Sequence, residues 1–236
     1  MNAAPTSLSH RNDSARLIVH HLSRSQSERI VWLAEELGLD YELRRYERRK
    51  DNRLAPPEYK ALHPLGAAPV ITHGDLVLGE SAAIVEYLLT IFGEGRLAVS
   101  SSESTFSDYL YWFHFASGTL QPALLRVFYL ELAKTDPNHP GLIAARERFD
   151  LALSALDDRL APRAAVETPW LAGSAFTAAD IMTVFSLTTM RLYRPFDLSP
   201  WPNLVAYLAR IGERPAYRRA MQKGDPDLLP LLRALP

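Results

Sequence analysis

Hydrophobic periodicity in this chain changes character near residue 100, and the change limits the folds open to it. Before that point, short β-branched runs alternate with helical spacing; after Glu103 only helical spacing recurs. Arg16 to Leu22 reads as a strand. Ile30, Leu33, Ala34 and Leu37 then fall on one face of a helix that Gly38 closes. Tyr41 to Tyr46 is a second strand, and a strand–helix–strand of about 30 residues predicts a right-handed parallel unit. Pro69 to Thr72 and Leu76 to Leu78, joined at His73-Gly74-Asp75, predict an antiparallel hairpin. Ser81 to Phe92 reads as a helix with Ile84, Val85 and Leu88 inward.

In the second half Phe106, Tyr109, Leu110 and Phe113 share a face, and Gly118 and Pro122 are expected to bend that helix. A helix from His139-Pro140 to about Leu160 follows. Thr177-Ala178-Ala179-Asp180 has capping-box spacing, with Phe176 as a staple residue, which assigns Thr177 and Asp180 to stability. Leu204, Tyr207, Leu208 and Ile211 mark a later helix, and Pro215 opens a short last one. The breakers Gly93, Gly95 and Ser100-Ser101-Ser102 divide the chain. The expected organisation is a disordered extension at 1–15, an α/β domain at 16–95, a linker at 96–103 and an all-helical domain at 104–236.

Composition removes several function classes. The 236 residues include no cysteine, which excludes a disulfide framework, a thiolate metal site and a cysteine nucleophile. Any sulfur chemistry needs a substrate that brings the sulfur. Lys+Arg 26 against Asp+Glu 27 leaves a net charge of -1, unlike a polycation that binds nucleic acid non-specifically. No apolar run reaches the roughly 20 residues of a membrane span. Residues 1–15 show no secretory h-region, so the cytoplasm is the expected compartment.

Three constellations could carry chemistry. Ser23 to Arg29 places hydroxyls between the first strand and first helix. There they either cap the helix or, with its dipole, hold an anion such as a thiolate or phosphate. Ala67-Ala68-Pro69-Val70 either starts a strand or carries a cis proline that turns the Ala68 backbone toward a peptide ligand. Glu80-Ser81 either caps a helix or recognises an amino acid, Ser81 taking the carboxylate and Glu80 the ammonium. The run Arg44, Arg45, Arg48, Arg49, Lys50, Arg53 reads first as a solvated face. His20 and His21, in a strand with no spaced partner ligands, read as structural, so no metal is expected.

Taken together and in this order, these motifs resemble the glutathione transferase superfamily from Leu17 to about Met221. The resemblance is carried by Ser25-Gln26-Ser27-Glu28-Arg29, Trp32 to Gly38, Ala55-Pro56-Pro57-Glu58-Tyr59, His63 to Val70 and Glu80 to Ile84. Ala172 to Ile181 and Arg214-Pro215-Ala216-Tyr217 carry it in the second half. The first turn and His114 to Leu125 are similar to the bacterial and fungal serine-type members. The resemblance implies a thioredoxin-like N-terminal domain, an all-α C-terminal domain and a homodimer. It also implies glutathione as co-substrate and a small hydrophobic electrophile in an interdomain cleft, with no nucleic-acid or membrane partner.

Carried over residue by residue, the resemblance assigns Ser25 to the glutathione sulfur. Ala68 falls to the cysteinyl backbone, Pro69 to the cis proline, and Glu80 and Ser81 to the γ-glutamyl group. Ala67 stands where many relatives carry Lys or Gln, and His63 where many carry Asn; Arg53, Arg49 or Lys50 is then the candidate donor for the glycyl end. The absence of cysteine separates this chain from relatives that form mixed disulfides at the Ser25 position. Thiolate addition, substitution and peroxide reduction stay open. So does a non-catalytic binding or regulatory role on the same fold.

Overall fold

The computed structural model describes residues 15–162 and 169–236, so the expected extension at 1–15 lies, but for Ala15, outside the described residues. β1 (Leu17–Leu22) is an inner strand of a four-stranded sheet of order β2-β1-β3-β4. It runs parallel to β2 (Glu42–Tyr46), the crossover being α1 (Glu28–Leu37), and antiparallel to β3 (Val70–His73). β3 turns at Gly74, φ +59°, into β4 (Leu76–Gly79). Register places Val19 between Leu43 and Ile71, and Val19 and Ile71 are fully buried. β3 starts after Pro69, which has no amide to give the ladder. One short helix, α2 (Pro57–Lys60), follows the basic run, and α3 (Ser81–Phe92) keeps its expected bounds.

Nine of the ten α1 residues are buried, more than a one-faced amphipathic pattern allows. The sheet covers one side, and α7 (Ala178–Leu187) and α9 (Pro215–Gly224) cover the other. Ion pairs fasten α1 to α9: Arg214 grips Glu36 with two nitrogens at 2.7 and 2.8 Å, and Arg219 reaches Glu35 at 2.9 Å. Arg214 also lies 3.6 Å over the Phe176 ring.

The second half is helical, as expected. α4 (Phe106–Phe115) and α5 (Gln121–Leu132) are joined by a π-helical turn, Ala116–Leu120, at the place where Gly118 and Pro122 predict a bend. Pro122 cannot donate within the helix, and the Gln121 amide takes the Ala116 carbonyl, a five-residue step. α6 (Pro140–Leu160) follows, then α7 with its capping box, a 3₁₀ turn at Thr189–Leu192, and α8 (Pro202–Glu213).

Beyond α9 the chain returns along the helical half without regular structure, held by Arg191. This buried guanidinium donates to the Leu231 carbonyl at 3.3 Å, Arg233 at 2.7 Å and Ala234 at 2.5 Å. Arg191→Ala should release residues 229–236 and cost about 2–3 kcal/mol, the scale of a hydrogen-bonded charged group. Hydrogen exchange would show fast exchange confined to that tail; unchanged protection there would refute the clamp.

Candidate functional site

The β1–α1 turn is built around hydroxyls that do not cap the helix. Ser27 occupies the N-cap position of α1 but makes no side-chain cap bond. Its oxygen instead accepts the Leu22 amide at 3.1 Å and lies 2.9 Å from His21 Nδ1 and 2.7 Å from Ser25 Oγ. Ser25, also buried, accepts the Ser27 amide at 3.2 Å. Arg24 holds φ at +52°, a left-handed conformation that turns the chain here. Asp225, just past α9, fastens the turn from outside: it accepts the Ser23 hydroxyl at 2.8 Å and the Arg24 amide at 3.0 Å. Its other oxygen meets His21 Nε2 at 3.0 Å. Burial pushes the Asp225 carboxyl up, but the hydrogen bonds it accepts from His21, Ser23 and the Arg24 amide hold it below the ordinary range.

A cavity of about 130 Å³ opens beside this turn. Ala68, Pro69, Glu80 and Ser81 line it, as do Gln26, His63 and Gly79. The Ala68–Pro69 peptide is cis. Glu80 holds φ at +69° to turn β4 into α3, a strained backbone of the kind that collects at binding sites. Ser81 opens α3, whose first amides have no carbonyl partner inside the helix. Arg29 sits beneath, fully buried, donating to Gln26 Oε1 at 2.7 Å and to Gln121 Oε1 of α5 at 2.9 Å. Its Nη1 lies 3.4 Å from Ser81 Oγ, and its guanidinium stacks 5.0 Å over Phe185. Burial lowers its pKa to about 10, with the Glu28 charge opposing, so it stays cationic at neutral pH.

Arg53 lines a neighbouring cavity of about 360 Å³ with Arg24, Arg49, Lys50, Tyr193 and Asp225, and is absent from the lining of the first. The basic run is largely spoken for: Arg44 pairs with Glu42, Arg45 with Glu47 and Arg49 with Asp51. Arg48 donates to the carbonyls of Ser23 at 2.9 Å and Arg53 at 3.0 Å, and lies over Tyr193. Among the described residues no group of three or more His, Asp or Glu gathers where a metal could bind.

Residues 24–91 match the family described as glutathione S-transferase, N-terminal domain, and residues 132–210 match its C-terminal domain. The chain belongs to the glutathione S-transferase family.

A glutathione S-transferase of Schizosaccharomyces pombe is 31% identical over 229 residues, covering 91% of this chain and 90% of its own. A glutathione S-transferase crystal structure from Actinobacillus pleuropneumoniae is similar at 34% identity and TM-score 0.78, over 89% of this chain and 93% of that one. A glutathione transferase of Phanerochaete chrysosporium, solved with oxidized glutathione, shares the fold at 22% identity and TM-score 0.70, over 91% and 96% of the two chains.

Within this glutathione S-transferase the sequence-expected Ala68, Pro69, Glu80 and Ser81 do meet in one cavity, with Ser25 on the adjoining turn and Arg53 set apart. Gln26, Arg29 and Gln121 are not marked as site residues by the sequence, except that a basic residue in the first turn of α1, against the helix dipole, is a signal for Arg29. His21 read as structural; its ring joins Ser27 to Asp225.

Glu28, the first α1 residue, is buried against the helical half and accepts the Thr189 hydroxyl at 2.5 Å. Burial raises its carboxyl to about 8, with the Thr189 bond opposing and the Asp225 charge adding to the rise. A folded pKa above the unfolded 4.5 contributes stability that is fully present below 4.5 and lost as pH climbs toward 8. Asp180, raised to about 6 by burial, has completed the same change by then. Between pH 6.5 and 8 the protein should therefore lose stability at up to roughly 1.4 kcal/mol per unit. Glu28→Gln should flatten that slope in urea titrations; an equal slope in the variant would exclude Glu28 as its source.

Proposed function

We propose that the protein is a serine-type glutathione transferase in which Ser25 binds the glutathione sulfur. The observation that carries this is one side chain's place: a buried hydroxyl at the start of α1, beside a cavity lined by cis Pro69, Glu80 and Ser81. In this reading the Ala68 backbone pairs with the cysteinyl part, and Ser81 with the α3 amides takes the γ-glutamyl carboxylate. Glu80 takes the ammonium, and Arg53 reaches the glycyl end from the neighbouring cavity.

A free thiol titrates near 8.5, and lowering that by about 2 units takes about 2.7 kcal/mol of preference for the anion. A hydroxyl donor and the α1 N-terminus supply energies of that order. The thiolate then attacks a small hydrophobic electrophile, or reduces an organic peroxide, with the protein setting charge state and position. Exposed Leu110, Tyr111 and Leu151 on the helical half support a homodimer.

The ultraviolet thiolate band of bound glutathione, followed across pH, tests the reading with turnover on a panel of aryl halides, enones and hydroperoxides. A bound thiol titrating well below 8.5 and turnover on one class are expected. Affinity without turnover on any electrophile would assign a binding protein instead, and no affinity would remove the reading.

A further inference from the structure

Two buried serines and a histidine join the proposed sulfur site to a carboxylate. From Asp225 inward the heavy-atom steps are 3.0 Å to His21 Nε2, 2.9 Å from Nδ1 to Ser27 Oγ and 2.7 Å to Ser25 Oγ. All four residues are at least 95% buried. Asp225, held ionised by its donors, can only accept, so His21 gives it the Nε2 proton, and with a neutral imidazole the bonds that follow run one way. In the neutral tautomer with its proton on Nε2, Nδ1 accepts from the Ser27 hydroxyl at 2.9 Å, nearer than the Leu22 carbonyl at 3.3 Å. The Ser27 oxygen, also accepting the Leu22 amide, then accepts the Ser25 hydroxyl. With every proton pointing inward, Ser25 offers the substrate a lone pair and no donor.

That polarity suits a thiol and not a thiolate. Resting on Ser25 as the sulfur-binding residue, we propose that His21, oriented by Asp225, takes up the glutathione thiol proton through Ser27 and Ser25. The S–H proton moves to Ser25 Oγ as the Ser25 proton moves to Ser27 Oγ and the Ser27 proton to His21 Nδ1. One S–H bond is lost, one N–H bond is gained, and no electron is transferred. The products are a thiolate and an imidazolium beside the Asp225 carboxylate. Every hydroxyl now points outward, so the same step turns Ser25 from acceptor of the S–H into donor to the sulfur anion. His21 and Asp225 are positioning residues in this scheme, since neither touches the substrate.

On its open side Asp225 shares a cavity with Arg24, Arg45, Glu47, Arg48 and Asp227. Asp225 comes from the end of α9, and Gly224 packs on the imidazole with its bare Cα, an added Cβ falling 3.1 Å from Nε2. Glu28 of α1 and Tyr193 beyond α7 both feel the Asp225 charge, and Arg45 is the register partner of His21 on β2. Tyr193 donates to the Arg24 carbonyl at 2.8 Å and makes no bond to the histidine.

A purely structural latch would leave the bound thiol's titration alone, so titration is the decisive readout. Ser27→Ala breaks the chain while keeping Ser25, and Asp225→Asn keeps an acceptor but removes the charge. Each should raise the pKa of bound glutathione toward the free value and cut turnover at pH 7 by about 10-fold or more, with KM for glutathione within about 2-fold. The wild-type protein supplies a check that needs no variant to fold. Nitrogen-15 spectra of its histidines should show His21 gaining the Nδ1 proton with glutathione but not with S-methylglutathione, which has no thiol to ionise. An unmoved thiol pKa in both variants, or the same His21 protonation with both ligands, overturns the relay and leaves the transferase reading standing. Glutathione that does not bind, or binds without a lowered thiol pKa in the wild type, fails both.

Discussion

Ser25→Ala should cut turnover at pH 7 by about 10–100-fold, the loss in thiolate when the bound thiol pKa moves up by about 1–2 units. The substitution removes the Ser25 hydroxyl alone and leaves the cavity of Ala68, Pro69 and Ser81 in place. Glutathione affinity should therefore stay within a few-fold while the thiolate band shifts to higher pH. The deficit should close as pH rises past about 8.5, where a thiol ionises unaided. A variant with an unchanged thiol pKa and unchanged turnover would take the sulfur away from Ser25 and make Ser23 or Ser27 the next candidate.

Asp180→Ala should lower stability by about 3–5 kcal/mol, well above the 0.5–2 kcal/mol of an ordinary helix cap. Its capping box accounts for one bond, the Thr177 amide at 2.9 Å. The same carboxyl, wholly buried, also accepts the Leu171 amide at 3.1 Å and the Tyr207 hydroxyl at 3.2 Å. Removing it strands donors from the loop before α7, from α7's own start and from α8. At about 2–4 °C per kcal/mol for a chain of this size, the melting temperature should fall by about 10 °C. The folded fraction should keep its turnover, because the hydrogen bonds of Asp180 run to Leu171, Thr177 and Tyr207 and not to the β1–α1 turn. Full stability with abolished turnover would move Asp180 into the chemistry.

The difference between those two magnitudes marks what a sequence motif conveys. Thr177-Ala178-Ala179-Asp180 announces a cap because both partners lie within one helical turn. It cannot announce Tyr207, which reaches the same carboxyl from 27 residues away. The same holds for α1. Its spacing shows an apolar face, yet Glu28, Arg29 and Glu35 are buried too, because helices from the second half cover the face that spacing leaves to solvent.

By itself the sequence determined the local elements. β-branched runs, helical spacing, Gly38 and the turn at Gly74 specified the parallel unit, the hairpin and the helical second half. Motif order added Ser25, cis Pro69, Glu80 and Ser81, because each sits where backbone geometry changes and leaves a local signature. Only the tertiary structure decided how the buried polar groups are satisfied. Asp225 meets His21 across 204 residues, Thr189 meets Glu28 across 161, and Gln121 meets Arg29 across 92. The reason is physical: hydrophobic period reports which faces leave water, whereas a buried charge or hydroxyl is stabilised only by the partner the finished packing brings to it. Those partnerships, more than the motif residues, decide what surrounds the hydroxyl of Ser25.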